Sequence, residues 1–188
     1  GSDGLHNMTW GAIDNVLQSH MTGASNSISV TLQRDGSISI DENGPGISLQ
    51  KKIEGRTLIE HALTTMASWR QDEPGLSSVH TGWASFPLMV SSALSRMLIF
   101  DNFVDGEHWQ VRTKAGRAEL PMTCLGSTEQ HGTRLTFLPD PEIFENPEVS
   151  YNWLHDRLFD VSHLCPGLQI ELRDLRQRSR RFLSEVGP

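Results

Sequence analysis

The order of predicted elements along the 188-residue chain favours an α+β fold, with a mostly antiparallel sheet and helices on one face. Helical and strand patterns do not alternate as they do in βαβ proteins. One amphipathic helix is followed by a pair of strands, two further helices and a run of strands, and then by a last helix and a last strand. Two Asp-Gly pairs, at 35–36 and 105–106, lie between strand patterns and are typical of hairpins.

The first half of the chain supplies the clearest patterns. A helix is predicted over 5–17 from apolar residues spaced mostly three and four apart, although Gly11 in its middle costs about 1 kcal/mol relative to alanine. Strands at 27–33 and 37–41 flank the first Asp-Gly pair, because both alternate and are rich in β-branched residues. A loop rich in glycine and proline follows, and residues 51–55 are also predicted as a loop.

A second helix is predicted over 57–69, and the polar segment 70–81 after it has the length of a functional lid. A third helix over 86–97 is apolar almost all round, which predicts burial, and Pro87 suits its first turn. The remaining predicted elements are strands at 98–104, 108–113, 117–125 and 133–138, a helix at 150–164 and a strand at 168–174.

Length and composition predict one domain over residues 1–188, long enough to bury a core. Apolar residues make up 37% of the chain, and the absence of a long apolar stretch or a signal peptide predicts a cytoplasmic protein rather than an integral membrane protein. A net charge of −7 argues against a surface devoted to nucleic acid. Gly1-Ser2 resembles an expression scar and no Met opens the chain, so we expect an excised domain of a larger protein.

Residue types that often carry chemistry form no standard cluster here. Cys124 and Cys165 make no CxxC pair, and two buried free thiols are favoured over a disulfide. His155 and His163 are too sparse for a metal site, which favours a surface or core role. The basic run at 173–181 is able to contact a phosphate backbone, but a solvated strand end is favoured.

Several motifs in one order carry more information. Gly4-Leu5-His6-Asn7-Met8 leads to Asp14-Asn15 on the first predicted helix, Gly44-Pro45-Gly46-Ile47 follows the first hairpin, and residues 132–144 spell GTRLTFLPDPEIF. In these motifs, over almost its whole length, the chain resembles the N-terminal ATPase domain of the DNA gyrase B subunit and its topoisomerase IV relatives, in the GHKL ATPase superfamily. The resemblance implies a two-layer sandwich, ATP and Mg²⁺ as cofactors, and a part in changing DNA topology.

The resemblance also implies positions that contact the nucleotide. Asn15 stands where the family has its Mg²⁺ ligand, and Glu42 stands where the family has an aspartate that binds adenine. Thr133 matches the threonine of the family's Gly-Thr motif. The full set of implied cofactor-binding positions is Asn15, Glu42, Gly44, Gly46, Gly82, Ser85 and Thr133.

The departures from the family pattern bear directly on catalysis. Gly11 stands four residues before Asn15, where the family has the glutamate that activates the attacking water, so no catalytic residue is assigned. Ser85 and Pro87 replace two glycines of the phosphate loop that begins at Gly82, and proline has no N–H to offer a phosphate. The family's glycine-containing H-A-G-G-K-F box is present at 61–66 without its glycines.

These departures lead to three hypotheses. The first is a gyrase-B-like GHKL domain that keeps the fold, lacks ATP hydrolysis and acts as a structural or regulatory module. The alternatives are the working ATPase domain of a divergent gyrase B and a module that binds a small ligand without turnover. Expected partners are the rest of a topoisomerase-like chain or a gyrase A-like subunit, with DNA only indirectly and no membrane. We expect a monomer, since the family dimerises when ATP and an N-terminal arm act together and this sequence meets neither condition. The family's transducer domain is not recognisable in the sequence either.

Overall fold

The computed structural model describes residues 2–21, 23–65 and 85–176. Its helices are α1 (Ser2–Met21), α2 (Leu58–Thr64), α3 (Ser85–Ala93) and α4 (Tyr151–Leu164). Its strands are β1 (Ser27–Leu32), β2 (Ile38–Glu42), β3 (Lys52–Ile53), β4 (Arg56–Thr57), β5 (Ser95–Val104), β6 (Glu107–Lys114), β7 (Arg117–Ser127), β8 (Gly132–Pro139) and β9 (Gln169–Asp174). The predicted lid at 70–81 and Gly82 lie outside the described residues, as does the basic run beyond residue 176.

Seven strands form one sheet in the order β7-β6-β5-β8-β2-β1-β9, and β3 pairs with β4 in a separate small sheet. Neighbours in the large sheet are antiparallel except β1 and β9, which run parallel. Inward-facing residues of the central strands share one core with apolar residues of all four helices. The predicted α+β class with a mostly antiparallel sheet is therefore confirmed.

Helix α1 is longer than the predicted 5–17, because neither Gly4 nor Gly11 interrupts it. Six apolar side chains on one side of this helix are buried, and burying a large one is worth about 1.5–3 kcal/mol against about 1 kcal/mol lost per glycine. The buried set is Leu5, Met8, Ala12, Ile13, Val16 and Leu17. Packing on the core thus outweighs the weak local propensity.

Three predicted boundaries are wrong. Helix α3 ends at Ala93 rather than at residue 97, because Ser95 already pairs with Pro139 at the start of the β5–β8 ladder. Helix α2 ends at Thr64, since Thr65 is extended, with φ −121° and ψ 128°; positions 66–69 of the predicted helix lie outside the described residues. Residues 51–55 are not a plain loop: β3 and β4 form a short hairpin through Glu54 and Gly55, whose φ values are 50° and 79°.

Glu60 ties α2 to the edge strand β7. Its Oε2 accepts hydrogen bonds from the backbone N–H and the hydroxyl of Thr57, both at 2.8 Å, and so completes a capping box. Its Oε1 accepts the backbone N–H of Met122 at 2.8 Å. Burial raises the pKa of the Glu60 carboxyl, but the hydrogen bonds from Met122 and Thr57 outweigh it and hold that pKa below its ordinary value of 4.5.

The cysteines are free in the structure, but the predicted burial of both is wrong. Cys124 is exposed because β7 is an edge strand, and Cys165 is half-buried at the end of α4. His155 and His163 are exposed on α4, and the described residues contain no group of three or more side chains suited to a metal ion. Among those residues, no helix is long and apolar enough to cross a membrane.

The described part of the basic run is paired with neighbouring carboxylates. Arg173 donates to Glu171 at 2.5 Å, and Arg176 donates to Asp174 at 2.9 Å. The hydrogen bond to Glu171 raises the pKa of Arg173. These two arginines therefore have carboxylate partners of their own chain, in agreement with the solvated strand end that the sequence favours.

Candidate functional site

The loop that follows β2 lies against the ends of two other strands. Gly46 has φ +77°, and a Cβ built on it would lie 2.6 Å from the carbonyl oxygen of Phe103 in β5. Gly132, at the start of β8, has φ +101°, and its Cβ would lie 2.0 Å from the carbonyl oxygen of Glu42. Only glycine can occupy positions 46 and 132, because both have positive φ and leave no room for a Cβ. This explains the second glycine of the G-x-G pattern and the glycine of the Gly-Thr pair on β8.

Glu42 is 8% exposed, and its carboxylate is turned back into this loop. Oε1 accepts the hydroxyl of Thr133 at 2.9 Å, and Oε2 accepts the backbone N–H of Gly44 at 2.7 Å. Both carboxylate oxygens therefore have donors from this chain.

Two asparagines and one histidine fix the rest of the loop. Asn102 on β5 accepts the Ile47 N–H through Oδ1 and donates through Nδ2 to the Ile47 carbonyl, each at 2.8 Å. Asn43 accepts the N–H groups of Asn26 and Ser27, both at 3.0 Å. The Nδ1 of His131, as an N–H donor, lies 3.1 Å from the carbonyl oxygen of Gly44.

Asn15 lies on α1 and is 0% exposed. Its Nδ2 donates to the backbone carbonyl of Gly11 at 2.9 Å, one helical turn earlier. Its Oδ1 is buried, and no atom of the described residues is its hydrogen-bond partner. Since a buried polar atom without a partner is costly, this oxygen is the unusual feature of α1.

The structure brings only part of the predicted site together by direct contact. Glu42, Gly44 and Thr133 form one hydrogen-bonded cluster, whereas within residues 2–21, 23–65 and 85–176 no hydrogen bond joins Asn15 to it. Ser85 is the first residue of α3 and Pro87 lies in the first turn of that helix. In the box at 61–66, which lacks the family's glycines, His61 is on the last turn of α2 with a buried Nδ1 that lacks a partner among the described residues.

Sequence reasoning missed Asn102 and His131. Asn102 occupies an inward position of β5, two residues after the buried Phe100 and four after the buried Leu98. Side chains of a strand alternate between its two faces, so counting by two from Leu98 and Phe100 places Asn102 on the inward face. A polar amide among inward apolar residues is a signal that the sequence does contain. His131 carries no comparable signal, because it precedes its strand and its contact with Gly44 comes from the tertiary fold.

Comparison with known proteins agrees with the resemblance. No family model matches the chain. The DNA gyrase B subunit of Thermotoga maritima is 32% identical over 175 residues, which cover 93% of this chain and 28% of that protein. The DNA gyrase B subunit of Thermus thermophilus is 31% identical over 192 residues, covering 100% and 30%, and the type 2 topoisomerase B subunit of Aquifex aeolicus is 31% identical over 177 residues, covering 94% and 22%.

A solved structure gives the same answer. The crystal structure of the 43K ATPase domain of Thermus thermophilus gyrase B in complex with an aminocoumarin matches with a TM-score of 0.85 and 28% identity, covering 97% of this chain and 46% of that one. The fold is thus that of the GHKL ATPase domains. More particularly, the chain is similar to DNA gyrase B subunits over nearly all of its own length, and it spans between 22% and 30% of the length of the three relatives named above.

Proposed function

We propose that this chain is a gyrase-B-like domain that keeps the GHKL fold, does not hydrolyse ATP and acts as a structural or regulatory module. The observation that carries the proposal is Gly11. On the continuous helix α1, residues 11 and 15 lie on one face, and the carbonyl of Gly11 accepts the amide of Asn15. A positioned base contributes about 10²–10⁴-fold to a rate, and glycine has no side chain with which to act as one.

The contacts of Glu42 support the same proposal. The Glu42 carboxylate, at the position that the resemblance assigns to adenine, already accepts one hydrogen bond on each oxygen, from Thr133 and from Gly44. Moving the carboxylate toward a base would break these two hydrogen bonds, each charge-assisted and worth about 1.5–3 kcal/mol. The loop is therefore arranged around contacts within its own chain.

A second candidate, a module that binds nucleotide without turnover, is favoured by one observation. The partnerless Oδ1 of Asn15 is an amide oxygen, a ligand type that Mg²⁺ accepts, so the residue present fits the metal that the family implies. When bound, Mg²⁺ neutralises phosphate charge. Asn15 would hold the ion.

The wider role is also a proposal. We expect residues 1–188 to act as one domain within a topoisomerase-like chain or beside a gyrase A-like subunit, with DNA contacted only indirectly. This rests on the homology to gyrase B and its relatives, of which the chain covers less than a third.

Two measurements separate the hypotheses. Isothermal titration with Mg-ATP tests binding, and steady-state phosphate release tests turnover, with a working gyrase B ATPase domain as the positive control in both. We expect no turnover above background. Binding heat without turnover would favour the second candidate, and turnover like that of the positive control would establish the alternative of a divergent working ATPase.

A further inference from the structure

We infer that Asn102 is a positioning residue that holds the Gly44–Ile47 loop in its final conformation before any ligand arrives. The inference deepens the proposed function and rests on it only in taking this loop as part of the candidate nucleotide site. Asn102 is 0% exposed and points inward from β5, so its amide cannot exchange its partners for water.

The two hydrogen bonds of the Asn102 side chain resemble those between paired residues of neighbouring β-strands. The Asn102 side chain presents an acceptor and a donor to the N–H and the carbonyl of one residue, Ile47, both at 2.8 Å. A backbone peptide of a neighbouring strand would do the same. The loop is thereby paired with β5 although it contains no strand of its own.

Close packing makes this pairing specific. Because Gly46 approaches the carbonyl of Phe103 with no room for a Cβ, the loop has one position along β5 at which Ile47 meets Asn102. At the other end of the loop, the Gly44 N–H is taken by Glu42 and the Gly44 carbonyl by His131. The loop thus has its polar groups satisfied at both ends by side chains of this chain, and a bound nucleotide is not needed to order it.

The test is amide hydrogen exchange and NMR on the whole chain without nucleotide. In the wild type we expect a scalar coupling through the hydrogen bond between the Ile47 nitrogen and the Asn102 side-chain carbonyl carbon, and protection of the Ile47 amide. Asn102→Leu should speed exchange at Ile47 by at least about 10-fold, while Val30 in β1 changes less than about 2-fold.

Two further variants keep the inference falsifiable. Asn102→Asp retains the oxygen that accepts the Ile47 N–H and should keep more protection there than Asn102→Leu. Asp101→Asn, on the same strand but with partners His108 and Gln110 on the other face, should leave Ile47 within about 2-fold of wild type.

An unprotected Ile47 amide or a missing coupling in the wild type would overturn the inference, even if the variants fail to fold. Equal exchange in the Asp and Leu variants would also overturn it. ATP turnover by the chain, in contrast, would overturn the proposed function and leave this inference standing, because the exchange is measured without nucleotide.

Discussion

The Glu42 carboxylate, which the resemblance places at the family's adenine-binding aspartate, has both of its oxygens hydrogen-bonded within the chain. It accepts from Thr133 and from the backbone of its own loop. Asn15 shows the opposite case, since its side-chain oxygen is buried and no partner lies among the described residues. In the candidate site, the Glu42 carboxylate therefore has hydrogen-bond donors from this chain, whereas the Asn15 side-chain oxygen has no partner among the described residues.

Restoring the missing carboxylate will not restore hydrolysis. We expect Gly11→Glu to melt slightly higher, since glutamate exceeds glycine in helix propensity by about 0.5–1 kcal/mol, and to release no phosphate above background. Ser85 and Pro87 would still stand where the family has glycines whose N–H groups approach phosphate. Activity should return, if at all, only when Ser85→Gly, Pro87→Gly and Glu42→Asp are added.

The control for this prediction is Gly11→Ala, which gives the helix-propensity gain without a carboxylate. Melting temperature and phosphate release are measured for all variants. Clear turnover by Gly11→Glu alone would show that the phosphate loop is more competent than its sequence indicates.

Glu60 should make stability depend on pH. Its pKa is lowered in the folded state, so its contribution is fully present above its ordinary value of 4.5 and is lost as the pH falls through the lower folded pKa. Glu60→Gln should lower the free energy of unfolding at neutral pH by on the order of 1 kcal/mol, an amount reduced by partial exposure. It should also weaken the fall of that free energy at acidic pH.

Urea unfolding at several acidic and neutral pH values measures both effects. Asp35, whose pKa is lowered by hydrogen bonds from Ser37, is present in both proteins and leaves a residual slope. If the free energy of unfolding fell equally steeply with acidic pH in wild type and variant, the prediction would be contradicted.

At the scale of elements, the pairing of β2 with β8 joins two halves of the candidate site. Glu42 is paired with Thr133 in this ladder, and the chain enters β8 through Gly132. Because the Gly132 backbone lies directly on the Glu42 carbonyl, the ladder end has room for no side chain there. The β2–β8 register that brings the Glu42 carboxylate to the Thr133 hydroxyl therefore depends on glycine at position 132.

Gly132→Ala should be strongly destabilising. Its φ of +101° disfavours any side chain by about 1–3 kcal/mol, and the clash with Glu42 adds to that cost. Gly106→Ala is the matched control, because its φ is +78° but nothing lies within 4 Å of the added Cβ, so it should lose only about 1–2 kcal/mol. Urea unfolding compares the two, and equal losses would show that the close approach to Glu42 is not as tight as the structure has it.

For the whole molecule, we expect a monomer both with and without Mg-ATP. The resemblance implies that dimer formation needs ATP, and Ser85 and Pro87 stand where it implies glycines of the phosphate loop. Light scattering at tens of micromolar protein measures the mass directly, and a shift to the dimer mass on adding Mg-ATP would refute the expectation.

Local patterns were sufficient for most elements. The Asp-Gly pair at 105–106 predicts a hairpin, because these residue types tolerate positive φ. In the structure both residues adopt it, with φ of 54° and 78°. The β3–β4 hairpin uses the same backbone geometry at Glu54-Gly55, but glutamate is not a turn signal and the strands are two residues long, so it was missed. The end of α3 was missed because an apolar run does not distinguish a buried helix from a buried strand.

By itself the sequence determined the fold class, the two hairpins marked by Asp-Gly pairs and the similarity to gyrase B, because periodicity, turn chemistry and ordered motifs are local properties of the chain. It also determined that no carboxylate precedes Asn15 by one turn. Only the tertiary structure decided where β5 begins, which donors take the Glu42 carboxylate and that Asn102 pairs with Ile47. These depend on contacts between residues as distant as Glu42 and Thr133, and such contacts exist only once the sheet has assembled.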